Sequence, residues 1–309
     1  MPTALRLTRR RSLSLLLVVA LAGAAALVRY MHWDDRSLLW LKEQRLPLGE
    51  RDASIWLPGY RVSIEGKLLD GLENDETSDL AYNPRTGTLF TVTGKLPMLV
   101  ELSRSGEVLR RIALKGFANP EGVAVLENGM IALTDERRRS LSLFELDPRT
   151  RELDLADAKP FDLGFPDAGN KGFEGIAWDP AQQRLLLGKE RAPTAMFSLG
   201  SDGQRLLDQE LRPLPSYGLG MRNLSALSVD PRTGHILALS AQSRLLLELD
   251  EHGEPVSFIS LLGGQSGLES RIPRAEGVAM DEEGTIYMVS EPNLFYVFRK
   301  DEPFAVPQG

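Results

Sequence analysis

Five segments of the 309-residue chain share one short pattern, and their spacing limits the fold more than any other feature. They are Ser78-Asp79-Leu80-Ala81, Glu121-Gly122-Val123-Ala124, Glu174-Gly175-Ile176-Ala177, Ser225-Ala226-Leu227-Ser228 and Glu276-Gly277-Val278-Ala279, at steps of 43, 53, 51 and 51 residues. Each opens an apolar run that ends in a turn: Asn83–Gly87, Glu127–Gly129, Asp179–Gln183, Asp230–Gly234 or Asp281–Gly284. Asx, Pro and Gly suit such turns because Asx bonds its own backbone, Pro presets φ and Gly accepts positive φ. A second apolar run follows in every repeat: Leu89–Thr93, Ile131–Thr134, Leu185–Leu187, Ile236–Leu239 and Ile286–Val289. A third follows at Met98–Leu102, Leu141–Leu146, Ala195–Leu199, Leu245–Leu249 and Leu294–Phe298.

The first four repeats then predict a fourth, more alternating strand, clearest at Val108–Leu114 and Val256–Leu261. Four short strands per unit of about 40–50 residues are the pattern of propeller blades. The fifth repeat stops after its third strand, and Tyr60–Ile64 is the candidate for the missing one. Pairing the two ends of the domain removes an exposed sheet edge. The expected fold is therefore all-β: a five-bladed β-propeller closed by an N-terminal strand.

The N-terminus carries a different signal. Arg6, Arg9, Arg10 and Arg11 precede the uncharged run Ser12–Val28, which Arg29 ends. A basic flank before an apolar core is an export signal that keeps the arginines in the cytoplasm. The run is at the short end for a spanning helix, which needs about 17–25 residues. A cleaved signal peptide and an uncleaved signal anchor both fit. The alanine-rich stretch lacks turn formers before a cut, and Tyr30, Met31 and Trp33 extend the span, which favours the anchor. The expected organisation is a basic segment at 1–11, a transmembrane signal anchor at 12–29, a linker at 30–54 and the propeller at 55–309. The propeller is then periplasmic on a bacterial inner membrane, or free in the periplasm if the signal is cut.

Charge separates the two parts. Residues 1–51 carry a net +5 and residues 52–309 about −12. An acidic globular part is a poor partner for nucleic acid or anionic headgroups and a reasonable one for cations. Cysteine is absent, which excludes disulfides, thiolate zinc sites and cysteine nucleophiles.

The carboxylates fall into two columns. Glu121, Glu174 and Glu276 start first strands, and Glu136, Glu190 and Glu291 end the second strands that return beside them. In the other two repeats the first column holds Ser78 and Ser225, and the second holds Gly94 and Ala241. Three blades thus carry a glutamate pair and two carry none. Six glutamates at one end of an axial channel repel, which raises their pKa values or demands a cation. Hard oxygen ligands suit Ca²⁺. Asp135, Asn119, Asn170 and Asn223 offer further oxygen. The architectural alternative is that the glutamates cap backbone N–H groups or pair with Lys95, Lys171, Lys189 or Arg191.

Other chemistry is thin. His32 lies near the membrane segment, and His235 and His252 fall in predicted, solvated turns. Trp178 reads as core packing, and Glu136-Arg-Arg-Arg139 as a solvated loop bordering the acidic rim. No phosphate loop, HExxH or GxSxG pattern occurs.

Asn119–Ala124, Gly172–Trp178, Asn223–Ser228 and Ala275–Ala279, with the N-terminal anchor, resemble the SdiA-regulated, YjiK-like bacterial proteins, a membrane-tethered group distantly similar to NHL-repeat propellers. The resemblance covers nearly all of residues 55–300. It implies a five-bladed propeller with a calcium site and brings no biochemical activity. Two functions are compatible with these residues. One is a calcium-binding interaction module for an unknown protein or small-molecule ligand at the rim or channel, without catalysis. The other is a Ca²⁺-dependent hydrolase, since Glu174–Asp179 is similar to a motif of lactonases and esterases of the gluconolactonase type.

Overall fold

Strands such as Leu245–Leu249 are buried on both faces because each blade is sandwiched between two others. Leu245, Leu247 and Leu249 join a cluster with Leu186 and Met196 of the preceding blade, while Leu246 joins one with Val278 and Met288 of the next. The same holds around the ring, where each of five apolar clusters draws on two neighbouring blades. The period-2 rule therefore survives, but both of its faces are buried.

The computed structural model describes residues 9–30, 33–164, 172–191, 193–215 and 219–300. Its strands form five antiparallel sheets, each running outward from a first strand at the axis. Those first strands are Thr77–Asn83, Pro120–Val125, Phe173–Asp179, Ala226–Val229 and Arg274–Met280. Met98–Leu102 and Leu245–Leu249 have the bounds predicted, and Tyr60–Leu68 pairs with Leu294–Lys300 as the outer strand of the fifth sheet. The chain is thus a five-bladed propeller preceded by one apolar helix, Arg9–Tyr30.

Two blades depart from the expected four full strands. The outer strands of the second and third are reduced to Phe161–Asp162 and Arg212–Leu214. Glu152–Asp154 leaves the second blade and pairs in parallel with Val108–Lys115 of the first. That strand would otherwise be the edge of its sheet, an unpaired row of backbone groups.

The predicted linker is a docked element. Helix Trp33–Arg45 lies along the outer strand of the fourth blade, with Leu39 only 4% exposed in the cluster of Met196 and Leu247. Arg36 donates to the carbonyls of Ser243 and Arg244, and Glu43 accepts the Phe258 N–H. Downstream, buried Glu248 accepts the N–H groups of Ile55 and Trp56 at 2.8 and 3.1 Å. His235 Nδ1 sits 2.7 Å from the same carboxylate, so it is not the freely solvated turn residue expected. His252 is exposed as expected, and His32 lies outside the described residues.

Candidate functional site: an acidic ring at one end of the axis

Strand pairing places the starts of first strands and the ends of second strands at the same end of the propeller. All six glutamates lie there, but they do not face each other in register. Pro120 opposes Asp135 and Gly122 opposes Thr134, so Glu121 is the extra residue of a β-bulge. Glu174 and Glu276 occupy the same bulge in their blades. A bulge re-aims one side chain while the ladder continues past it.

The glycine that follows has a separate task. A methyl group at Gly122, Gly175 or Gly277 would lie 2.9, 2.8 or 2.5 Å from the backbone of Glu174, Ala226 or Asp79, each on the next blade around the ring. Glu-Gly thus combines a side chain turned to the site with a close contact between inner strands.

The three pairs are neutralised differently. Asn119 Nδ2 bridges Glu121 and Glu136 at 2.6 and 3.0 Å. Arg274 bridges Glu276 and Glu291, with Nε and Nη1 each 2.7 Å from a carboxylate. Glu190 has Arg191 at 2.8 Å. Glu174 has no hydrogen bond or ion pair among the described residues and faces the charges of Glu190, Glu276, Glu121 and Glu136. Burial first, then these carboxylates, push Glu174 well above the ordinary carboxylate range. Burial also lifts Glu121 to about 7, although the Ser78 hydroxyl holds it down. Glu276 is likewise lifted by burial to about 7 against the opposing pull of Arg274 and Ser225. Ser78 and Ser225, in the two blades that lack a pair, thus serve the glutamate of the next blade.

Asp135, Asn119 and Asn223 have other duties. Asp135 accepts the N–H groups of Ala118, Asn119 and Arg138. Asn119 turns its amide nitrogen, not its oxygen, toward the glutamates. Asn223 binds Ser225, Ser240 and the Gln242 N–H. Lys95 pairs with Glu76, and Lys189 donates to the carbonyls of Arg191 and Pro193. Asn170 and Lys171 lie outside the described residues. Trp178 joins the core between the second and third blades, as predicted.

Two site residues escaped the sequence reading. Arg274 precedes the aligned pattern by two positions. Asp79 occupies the column that holds glycine in three blades, and its left-handed backbone (φ +43°) is one that glycine adopts freely. Its carboxylate is fully buried and accepts the N–H groups of Leu80, Val123 and Ile176 at 2.9, 3.0 and 3.2 Å. The available signal was a charge inside an otherwise apolar strand.

The donor set is carboxylate oxygen, which is chemistry for Ca²⁺ or Mg²⁺ rather than for softer ions. Among the described residues no three Asp, Glu or His side chains stand close enough together to hold one ion as placed. A cation held here would draw Glu174 and Glu190 inward against their mutual repulsion, which it would also relieve.

A five-bladed propeller with an acidic axial mouth defines the class. The chain belongs to the SdiA-regulated family, whose model matches residues 52–299. Among solved structures it is similar to a chain in a nidogen/laminin complex, at 16% identity and a TM-score of 0.44, with 69% of this chain and 72% of that one covered. It is also similar to a structural genomics protein of unknown function from Bacteroides thetaiotaomicron VPI-5482. There the identity is 12% and the TM-score 0.49, with 71% of this chain and 58% of that one covered.

Proposed function

We propose that this protein is a membrane-anchored, extracytoplasmic propeller that binds Ca²⁺ at its acidic mouth and presents that mouth as an interaction module. The observation that carries the reading is Glu174. It is a carboxylate surrounded by four others with no described donor, and such a group takes up either a proton or a cation. Glu190 and Glu174 are the first ligands, with Glu121 and Glu276 beside them and Glu136 and Glu291 behind. The N-terminal helix, with Ser12–Tyr30 long and apolar enough to span a bilayer, supports the anchor.

The test is calorimetric titration of the protein with CaCl₂, repeated on Glu174→Gln. Wild-type binding that weakens at least tenfold in the variant, with no ester or lactone turnover, supports the module. Absence of any divalent-cation binding overturns the calcium reading. Ca²⁺-dependent hydrolysis abolished by Glu174→Gln makes the protein a hydrolase instead.

A further inference from the structure

The position of the helix relative to the ring bears on what the mouth faces. Connections between second and third strands, and between successive blades, lie at the mouth end because every blade is antiparallel. Arg36 holds two carbonyls of such a connection, Ser243 and Arg244. Arg222, on the connection entering the fourth blade, bonds Asp34 and the Arg29 carbonyl at 3.4 and 2.9 Å. The apolar helix therefore ends at the mouth end of the fourth blade. Only residues 31 and 32 separate it from the docked helix, too short a tether to turn the propeller over.

The apolar helix also leaves the propeller rather than running back along it. Its large side chains, from Leu13 to Leu27, are all 51–66% exposed. A helix lying along the blade wall would bury one stripe. Trp33 is 49% exposed just after it, in the position of an interfacial aromatic.

Charge at this end is unevenly distributed. The connections at this end carry Arg137, Arg138 and Arg139 on the second blade, Arg191 on the third, and Arg222 and Arg244 on the fourth. Neither Arg137 nor Arg244 has a carboxylate partner among the described residues, and Arg138 is half-exposed with Asp135 no nearer than 3.9 Å. The acidic side chains of the same face are the ring glutamates and Asp135 at the axis, with Asp70, Glu73 and Glu76 on the connection entering the first blade. At the far end, the turns of the fourth and fifth blades carry Asp250, Glu251, Glu254, Glu282 and Glu283. A net negative domain thus has a basic sector beside its anchor.

We propose that the mouth end rests on the bilayer that holds the Ser12–Tyr30 helix, with Arg137, Arg138 and Arg244 against anionic lipid phosphates, so that the glutamate ring opens onto the membrane surface. An anionic leaflet attracts such arginines within about a Debye length of its surface. The inference rests on the anchor reading above, and its test separates the two.

The chain has no cysteine, so single fluorophores can be placed by substitution. Full-length protein carrying Gln242→Cys (mouth end), Leu96→Cys (mouth end, first blade) or His252→Cys (far end) is labelled and reconstituted into vesicles. The vesicles contain phosphatidylglycerol and a headgroup quencher. Quenching at positions 242 and 96 but not 252 is expected. Adding Arg137→Glu and Arg138→Glu should lower quenching at position 96 at least twofold, with the thermal midpoint as fold control. Equal or stronger quenching at 252 overturns the orientation while leaving the anchor intact. Unchanged quenching at 96 in the charge-reversed protein overturns the role of the arginines. Protein recovered from membranes without residues 12–30 overturns both the anchor and the orientation.

Discussion

The carboxylate of Asp79 accepts the backbone N–H of Val123 on the adjacent blade at 3.0 Å, and the same oxygen accepts that of Ile176, one blade further, at 3.2 Å. One side chain thereby ties three inner strands together at the axis. Burial pushes this carboxyl well above its usual range, while its backbone donors pull it down. Asp79→Ala leaves buried N–H groups without an acceptor, at about 1–3 kcal/mol each. The expected loss in urea denaturation is about 3 kcal/mol or more. Asp79→Asn, which keeps one acceptor oxygen, should lose less than half of that. Equal midpoints for wild type and Asp79→Ala would show that the three bonds contribute nothing.

Gly175 and Gly277 set the spacing of the inner strands. The nearest atoms to an added methyl are backbone atoms of Ala226 and Asp79, at 2.8 and 2.5 Å, and backbone cannot swing aside as a side chain does. Gly277→Ala should therefore separate the first and fifth blades at a cost of about 2–3 kcal/mol from overpacking. Gly234→Ala serves as a control for the glycine itself, since nothing lies within 4 Å of its added methyl. Its positive φ still costs about 1 kcal/mol. A loss at Gly277 no larger than at Gly234 would remove the close-contact explanation.

The blade count was legible because each repeat opens on a similar four-residue pattern, led by Glu or Ser, and closes its hairpin with the same turn chemistry. The two columns of glutamate were legible for the same reason, and all six do gather at one end. The bulge was not, because counting residues from a turn assumes an uninterrupted ladder. Asp79 and Arg274 were missed because alignment rewards what repeats, and each occurs in one blade alone. Net charge averages over position in the same way. A sum of −12 over the domain says nothing of Arg137, Arg138 and Arg244 sharing the anchored end.

Arg274 acts as a fixed cation beside the ring. Its guanidinium holds Glu276 and Glu291 at 2.7 Å each and opposes the rise of both. Arg274→Gln removes a positive charge that a metal ion would otherwise have to share. Ca²⁺ should bind roughly tenfold tighter, about 1.4 kcal/mol. The cation-free variant should melt lower than wild type at pH 8. Titration calorimetry and a thermal scan in EDTA measure the two effects, and weaker Ca²⁺ binding would mean that Arg274 orders the site instead of competing for it.

The ring also fixes how stability depends on pH. Burial holds Glu121 and Glu276 at about 7, against an ordinary 4.5, and lifts Glu174 further. The folded protein therefore keeps protons that the unfolded chain has already released, and stability falls as pH rises. This contribution is fully present below about 4.5 and is lost through 7 and above. Glu43, raised by burial to about 7, and His235, raised by its bond to Glu248, work in the same direction on the fourth blade. The ring's share is distinguished by calcium, because a bound ion replaces the protons and releases them. In EDTA the melting temperature should decline steadily from pH 5 to pH 8, and excess CaCl₂ should restore much of the loss at pH 8 while changing little at pH 5. Calorimetry in two buffers of different ionisation enthalpy should register proton release on Ca²⁺ binding at pH 7. A melting temperature flat across this range in EDTA would contradict the burial of the ring carboxyls. A decline that calcium leaves untouched would assign the titration to Glu43 and His235 instead.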